Sequence, residues 1–207
     1  MNLDPQAAAL LREAADWRLI GLLFECPGES VNAQVAALGA ETADPVLQTA
    51  AAQARQEASE GLYHSTFGPG GPAPPREASY QDTIQLGYLM SELSCYYEAF
   101  SYRPQTEEAQ DHVAVEAGFL SYLRLKQAYA LAAGDAEAAA ITADAARRFI
   151  EDHLSLVAEP LAASLVHSGV SYLAEAGKAL LSRTGPRRVL PVILNPVDED
   201  CEMTCGG

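Results

Sequence analysis

PQAAALLREAADWRLIGLLFE, residues 5–25, carries apolar positions at Leu10, Ala14, Trp17, Gly21 and Phe24. Steps of three and four put these on one stripe of an α-helix, whereas a half-buried strand would alternate with a period of two. The stretch predicts a first helix over 5–25. Cys26-Pro27-Gly28 ends it, because proline cannot continue the hydrogen-bond ladder. The same spacing runs through most of the chain, alanine abounds, and Val and Ile are sparse outside the last stretch. The predicted fold class is all-α, a single-domain helical bundle.

Working outward, a short helix is expected near 30–39. A longer one follows near 45–61, started by Asp44-Pro45. HSTFGPGGPAPPREAS, residues 64–79, holds four prolines and three glycines in sixteen residues and reads as a long loop. Long loops in compact domains often carry function; the alternative is a linker between two helical subdomains. Beyond it, a helix near 80–100 carries Ile84, Leu86, Leu89, Leu93, Tyr96 and Tyr97. The next is expected over 106–133, with Thr106 as its cap and Glu107 and Glu108 in its positive first turn. Gly134-Asp135 separates it from a helix over 135–153. A last helix is expected over 156–183, with Pro160 in its first turn. Residues 1–184 thus form the helical domain. Residues 185–207 form an extended or flexible acidic tail with two cysteines, attached to the body at most by Val189 to Leu194.

A chain of 207 residues is one domain large enough to bury a core without disulfides or a structural metal. No apolar run approaches the ~18 residues a membrane span requires. Met1 to Asp16 carries Asp4, Glu13 and Asp16 and no basic patch ahead of an apolar stretch. No secretory signal is expected, and the chain is expected in the cytoplasm. Thirteen Lys and Arg against twenty-eight Asp and Glu give a net charge of −15. Such a field repels phosphate backbones and anionic lipid and attracts cationic ligands, so neither nucleic acid nor stable membrane insertion is expected. Cys26, Cys95, Cys201 and Cys205 have neither the spacing of a disulfide framework nor that of paired Cys-x-x-Cys zinc sites.

The usual catalytic constellations are missing from the sequence. Gly177-Lys178 is followed by Ala179 and lacks the upstream glycine of a phosphate-binding loop. There is no His-Glu-x-x-His and no Glu-x-x-His pair, and His64, His112, His153 and His167 are dispersed. No cofactor and no enzymatic activity are expected. Cys201 and Cys205 are the only candidates for a metal, as a soft-metal or redox pair; the alternative is a plain tail with two free thiols. One local cluster remains, Asp111-His112-Val113-Ala114-Val115-Glu116. His112 and Glu116 are four apart and share a helix face, so they can pair, orient an imidazole, or meet something outside; equally, they can simply stabilise the helix.

The stretch Gln110–Leu120, QDHVAVEAGFL, resembles the E-P-D-H-(I/L)-x-x-E-L-x-F-(M/L) signature of the TorD/DmsD/NarJ family of redox-enzyme maturation chaperones. Three further segments agree in order. Residues 63–69, YHSTFGP, are similar to the family's Y-x-x-L-F-x-G-P. Residues 74–80, PPREASY, resemble its P-x-E-S-x-Y loop. Phe149 to Leu154, followed by Pro160-Leu161, is similar to F-x-x-x-H-L-x-x-W-x-P-x-F. Gln110 stands in place of the family's proline, Val157 in place of its tryptophan, and Ala78 separates Glu77 from Ser79. The likeness runs from about residue 10 to 183.

The resemblance implies a dedicated chaperone. It would bind the N-terminal signal of a molybdopterin oxidoreductase catalytic subunit, commonly a twin-arginine signal, and hold that subunit until its cofactor is inserted. A peptide-binding cleft is expected between the loop 68–79 and the helix 106–133. Asp111, His112 and Glu116 would form its polar end, and Pro75, Glu77, Ser79 and Tyr80 the facing wall. An acidic protein with an apolar groove complements an arginine pair followed by an apolar helix. Alternatives are a chaperone for a mature, non-exported subunit of the nitrate-reductase type, a helical nucleotide- or metal-binding protein, or a structural adaptor. A homodimer, including a domain-swapped one, is left open.

Overall fold

The computed structural model describes residues 4–81 and 85–186. Among them the regular structure is helical: α1 (Pro5–Leu23), α2 (Glu29–Glu41), α3 (Pro45–Glu57), α4 (Glu60–Phe67), α5 (Leu86–Ala99), α6 (Val113–Ala132), α7 (Ala136–Phe149), α8 (Ser155–Ser168) and α9 (Ser171–Thr184). A 3₁₀ turn covers Glu77–Tyr80, and a π turn, Ile150–Leu154, joins α7 to α8. The all-α expectation holds. None of these helices is long and apolar enough to cross a membrane. Cys201, Cys205, Ile84 and the tail segment Val189–Leu194 lie outside the described residues.

Local chemistry sets the boundaries. Asp4, Asp44 and Asp135 accept hydrogen bonds from first-turn amides of α1, α3 and α7, with Pro5 and Pro45 in the first helical position. The helix expected over 45–61 is instead two. Ala58 and Ser59 are extended, and the Ser59 hydroxyl accepts from the Leu62 amide to start α4. α4 then runs to Phe67, so the irregular segment begins at Gly68 rather than His64. α5 begins at Leu86, six residues later than the spacing suggests.

α6 begins at Val113, not 106. His112 caps it by accepting from the Ala114 amide at 3.1 Å, while Thr106 only accepts from Glu108 at 3.4 Å. The helix expected over 156–183 breaks at Gly169, whose φ of +76° is open to glycine at little cost, before the extended Val170. Pro160 sits inside α8 rather than in a first turn, because the π turn keeps the chain helical from α7 onward.

α1 lies along α6, α3 and α8 pack on α9, and α7 returns beside α6. Gly21 permits the first of these contacts, since a Cβ there would lie 3.0 Å from the Ala114 carbonyl oxygen. The Ser121 hydroxyl donates to the Ala14 carbonyl across the same interface at 2.7 Å. Phe119, fully buried on α6, centres an aromatic cluster with ring centroids of Phe149 at 4.8 Å, Tyr97 at 5.0 Å and Tyr102 at 5.2 Å. At the far end Arg183 of α9 donates to Asp16 of α1 at 3.0 Å and to Asp44 before α3 at 2.8 Å.

Candidate functional site

The Pro/Gly-rich segment is pinned across the start of α6. Val113 N–H donates to the Pro75 carbonyl at 2.9 Å, and Glu77 N–H donates to the Asp111 carbonyl at 2.8 Å. These make a single antiparallel bridge between Arg76 and His112. The backbone contact brings Pro75, Arg76 and Glu77 against Asp111, His112 and Val113, two stretches 36 residues apart in the chain.

Side chains complete the seam. Asp111 Oδ1 accepts from Arg76 Nε at 2.8 Å and lies 2.8 Å from a terminal guanidinium nitrogen, while Oδ2 accepts from the Ala78 amide at 3.3 Å. Glu77 Oε2 lies 3.1 Å from His153 Nδ1 in the π turn, and its other oxygen accepts from the Gln81 side-chain amide. Tyr97 donates to the Gln110 carbonyl at 2.8 Å. Around His112, Nδ1 is spent as the helix cap, so Nε2 carries the proton of the neutral ring. Nε2 lies 3.4 Å from the Tyr63 hydroxyl, which donates to Glu108 Oε1 at 2.5 Å.

Burial sets the electrostatics. Asp111 and Glu116 are 0% exposed, Glu77 1% and His112 2%. These four side chains are therefore interior groups of a closed seam, and the open cleft expected from the sequence is not formed around them. Pro75 is buried too, Tyr80 is half-buried against the core, and Ser79 is exposed. Burial lowers His112 to about 4, against the opposing pull of Glu108. Glu116 is pushed well above the usual carboxyl range, first by burial and then by the Glu77 and Asp111 carboxylates. A hydrogen bond to the Glu77 side chain adds to the rise, and among the described residues His153 Nε2 has no hydrogen-bond partner.

Glu116 is consequently held neutral, and the sign of its effect on stability follows. A carboxyl whose folded pKa is raised contributes stability that is present below its unfolded value and lost as pH rises through the folded one. Glu116→Gln should abolish that loss. The variant's advantage over wild type in urea unfolding is expected to be larger at pH 8 than at pH 5. An advantage equal at both pH values would mean that Glu116 is not held protonated.

Pro75, Glu77, Asp111, His112 and Glu116 are thus assembled in one place, with Ser79 and Tyr80 on the adjoining 3₁₀ turn. Six side-chain partners were not among the expected site residues: Arg76, Gln81, Tyr97 and His153, with Tyr63 and Glu108 around His112. Arg76 and His153 both lie inside segments that carry the family likeness, and Arg76 is the only Lys or Arg between Arg55 and Arg103. The arrangement holds a loop to a helix by charge and hydrogen bonds. Among the described residues no group of three or more His, Cys, Asp or Glu side chains is placed to hold a metal ion. A separate surface groove of about 520 Å³ runs between α6 and α7, lined by Leu125, Tyr129, Ala133 and Ala138.

Residues 32–163 match the model of a protein family described as nitrate reductase delta subunit. The matched stretch covers more than half of the chain and contains every residue of the seam. A search of curated proteins finds no match.

Proposed function

Since the chain belongs to the nitrate reductase delta subunit family, the NarJ/TorD-type chaperones of molybdoenzyme maturation, we propose that it holds the N-terminal, twin-arginine signal segment of a molybdopterin oxidoreductase catalytic subunit until the cofactor is inserted, before export or assembly. The family is one of chaperones and not of catalysts, and its partners are molybdoenzyme catalytic subunits. The observation that carries the finer reading is that the family match encloses the whole seam. In this reading the client meets Ser79 and Tyr80 at the rim, with Pro75, Glu77, Asp111, His112 and Glu116 beneath them. Leu86 and Tyr88, 51% and 66% exposed a few residues further along, offer apolar footing for the stretch after the arginines. The net charge of −15 favours a cationic segment over an anionic one. The reading places the protein in the cytoplasm, as a monomer or a homodimer.

A second reading is favoured by the description of the matched family. In that reading the client presents a mature, non-exported N-terminus without an arginine pair. Salt separates the two. For a twin-arginine peptide, affinity should fall as ionic strength rises, and changing Arg-Arg to Gln-Gln should remove most of that slope, measured by titration calorimetry. Salt-independent affinity, unchanged by Gln-Gln, supports the mature-segment reading. Failure of any client N-terminal segment to bind would sink both.

A further inference from the structure

Asp111 has no exposure of its own, yet the side chain that neutralises it is 41% exposed. The pairing uses only side-chain atoms of Arg76. Its backbone neighbourhood is held independently, by Glu77 N–H on the Asp111 carbonyl and Val113 N–H on the Pro75 carbonyl. Rotation of the Arg76 side chain into water therefore breaks the ion pair and leaves the bridge between loop and helix intact. What remains is a buried carboxylate with one oxygen on the Ala78 amide and the other unpaired. An unpaired buried charge is strongly unfavourable, so a second cation must take the place that Arg76 leaves. The geometry of that place is one Nε–H hydrogen bond with a second guanidinium nitrogen 2.8 Å from the same oxygen, an extended cation that suits a guanidinium better than an ammonium.

We infer that Arg76 is a placeholder: an arginine of the bound client segment takes over Asp111 while Arg76 turns out to solvent. This rests on the reading of the seam as the client-binding region, and deepens it by naming what is exchanged there. Like replaces like, so the electrostatic cost of opening is returned on binding, and the contacts made by the rest of the segment decide affinity. Without a client, Arg76 keeps the buried carboxylate paired. With one, recognition favours arginine over lysine, because lysine returns a point charge but no fork.

The test uses the full chain and a peptide with an arginine pair ahead of an apolar run, beside its Lys-Lys and citrulline-citrulline analogues. Arg76→Gln removes the placeholder and is expected to tighten Arg-Arg binding by about tenfold, with the citrulline peptide unchanged. Adding Asp111→Asn in the same chain should erase the gain. If Arg76→Gln does not fold, Arg76→Lys keeps the charge without the fork and should tighten binding by a smaller factor. Binding to wild type with equal or weaker binding to the Arg76 variant that folds overturns the placeholder and leaves the client-binding reading standing. Binding to neither chain overturns that reading, and the placeholder with it.

Discussion

Acidifying the protein from pH 6.5 to pH 4 is expected to remove about 3 kcal/mol of folding stability through His112. The ring is buried and neutral in the folded chain, with its pKa lowered to about 4, while in the unfolded chain it titrates at its ordinary value. The unfolded state therefore binds the extra proton first. The contribution is fully present above pH 6.5, falls through the window between, and is gone below about 4. His112→Asn isolates it. An asparagine oxygen can still accept from the Ala114 amide and cap α6, but it does not titrate. The variant's stability should be flatter over that window in denaturant titrations. An identical acid loss in the variant would show that other groups carry it. Glu116 acts with the opposite sign from about pH 4.5 upward, so the two effects separate only in the single variants.

Phe119→Ala is expected to cost about 4 kcal/mol, the range for emptying a fully buried aromatic site. Its ring is surrounded edge-on by Tyr96, Tyr97 and Phe149, and Tyr102 and Phe100 close the cluster. Few neighbours can collapse into the space, because Tyr97 is tied to the Gln110 carbonyl and Tyr102 donates to the Val115 carbonyl. Chemical denaturation gives the number directly. A loss under about 1.5 kcal/mol would mean that the cluster repacks. Since Tyr97 and Phe149 also adjoin the seam, the variant should speed amide exchange at Glu77 and Val113 beyond what its global stability predicts.

The helical class was legible because amphipathic spacing is a local property, repeated in most segments. Caps with a familiar side chain were legible too, as at Asp44-Pro45. Boundaries failed where an unusual group decided them. Histidine is not among the preferred caps, so the spacing starts α6 seven residues too early, at Thr106. Gly169 within an otherwise continuous pattern gave little sign that it would turn left-handed. For the site, the residues were identifiable but their burial was not. A carboxylate on a helix reads as solvated unless its partner is known. The partner of Asp111 is 35 residues away at Arg76, and that of Glu77 is 76 residues away at His153. Only the tertiary fold shows that Glu77, Asp111 and Glu116 share one interior. It also turns a facing wall and a polar end into a closed seam.

The π turn at Ile150–Leu154 acts as a phase shift in an otherwise unbroken helical run from α7 into α8. Such a turn accommodates one residue more than an α-helical turn and rotates everything after it by about 100° relative to an uninterrupted helix. His153 sits inside the shift, and so its aim at Glu77 depends on that single surplus residue. Shortening the turn by one residue would return the run to ordinary helical phase. The histidine would then swing off the loop, and the apolar face that α8 offers to α9 would be turned away by the same angle. One codon therefore couples the far wall of the seam to the packing of the last two helices.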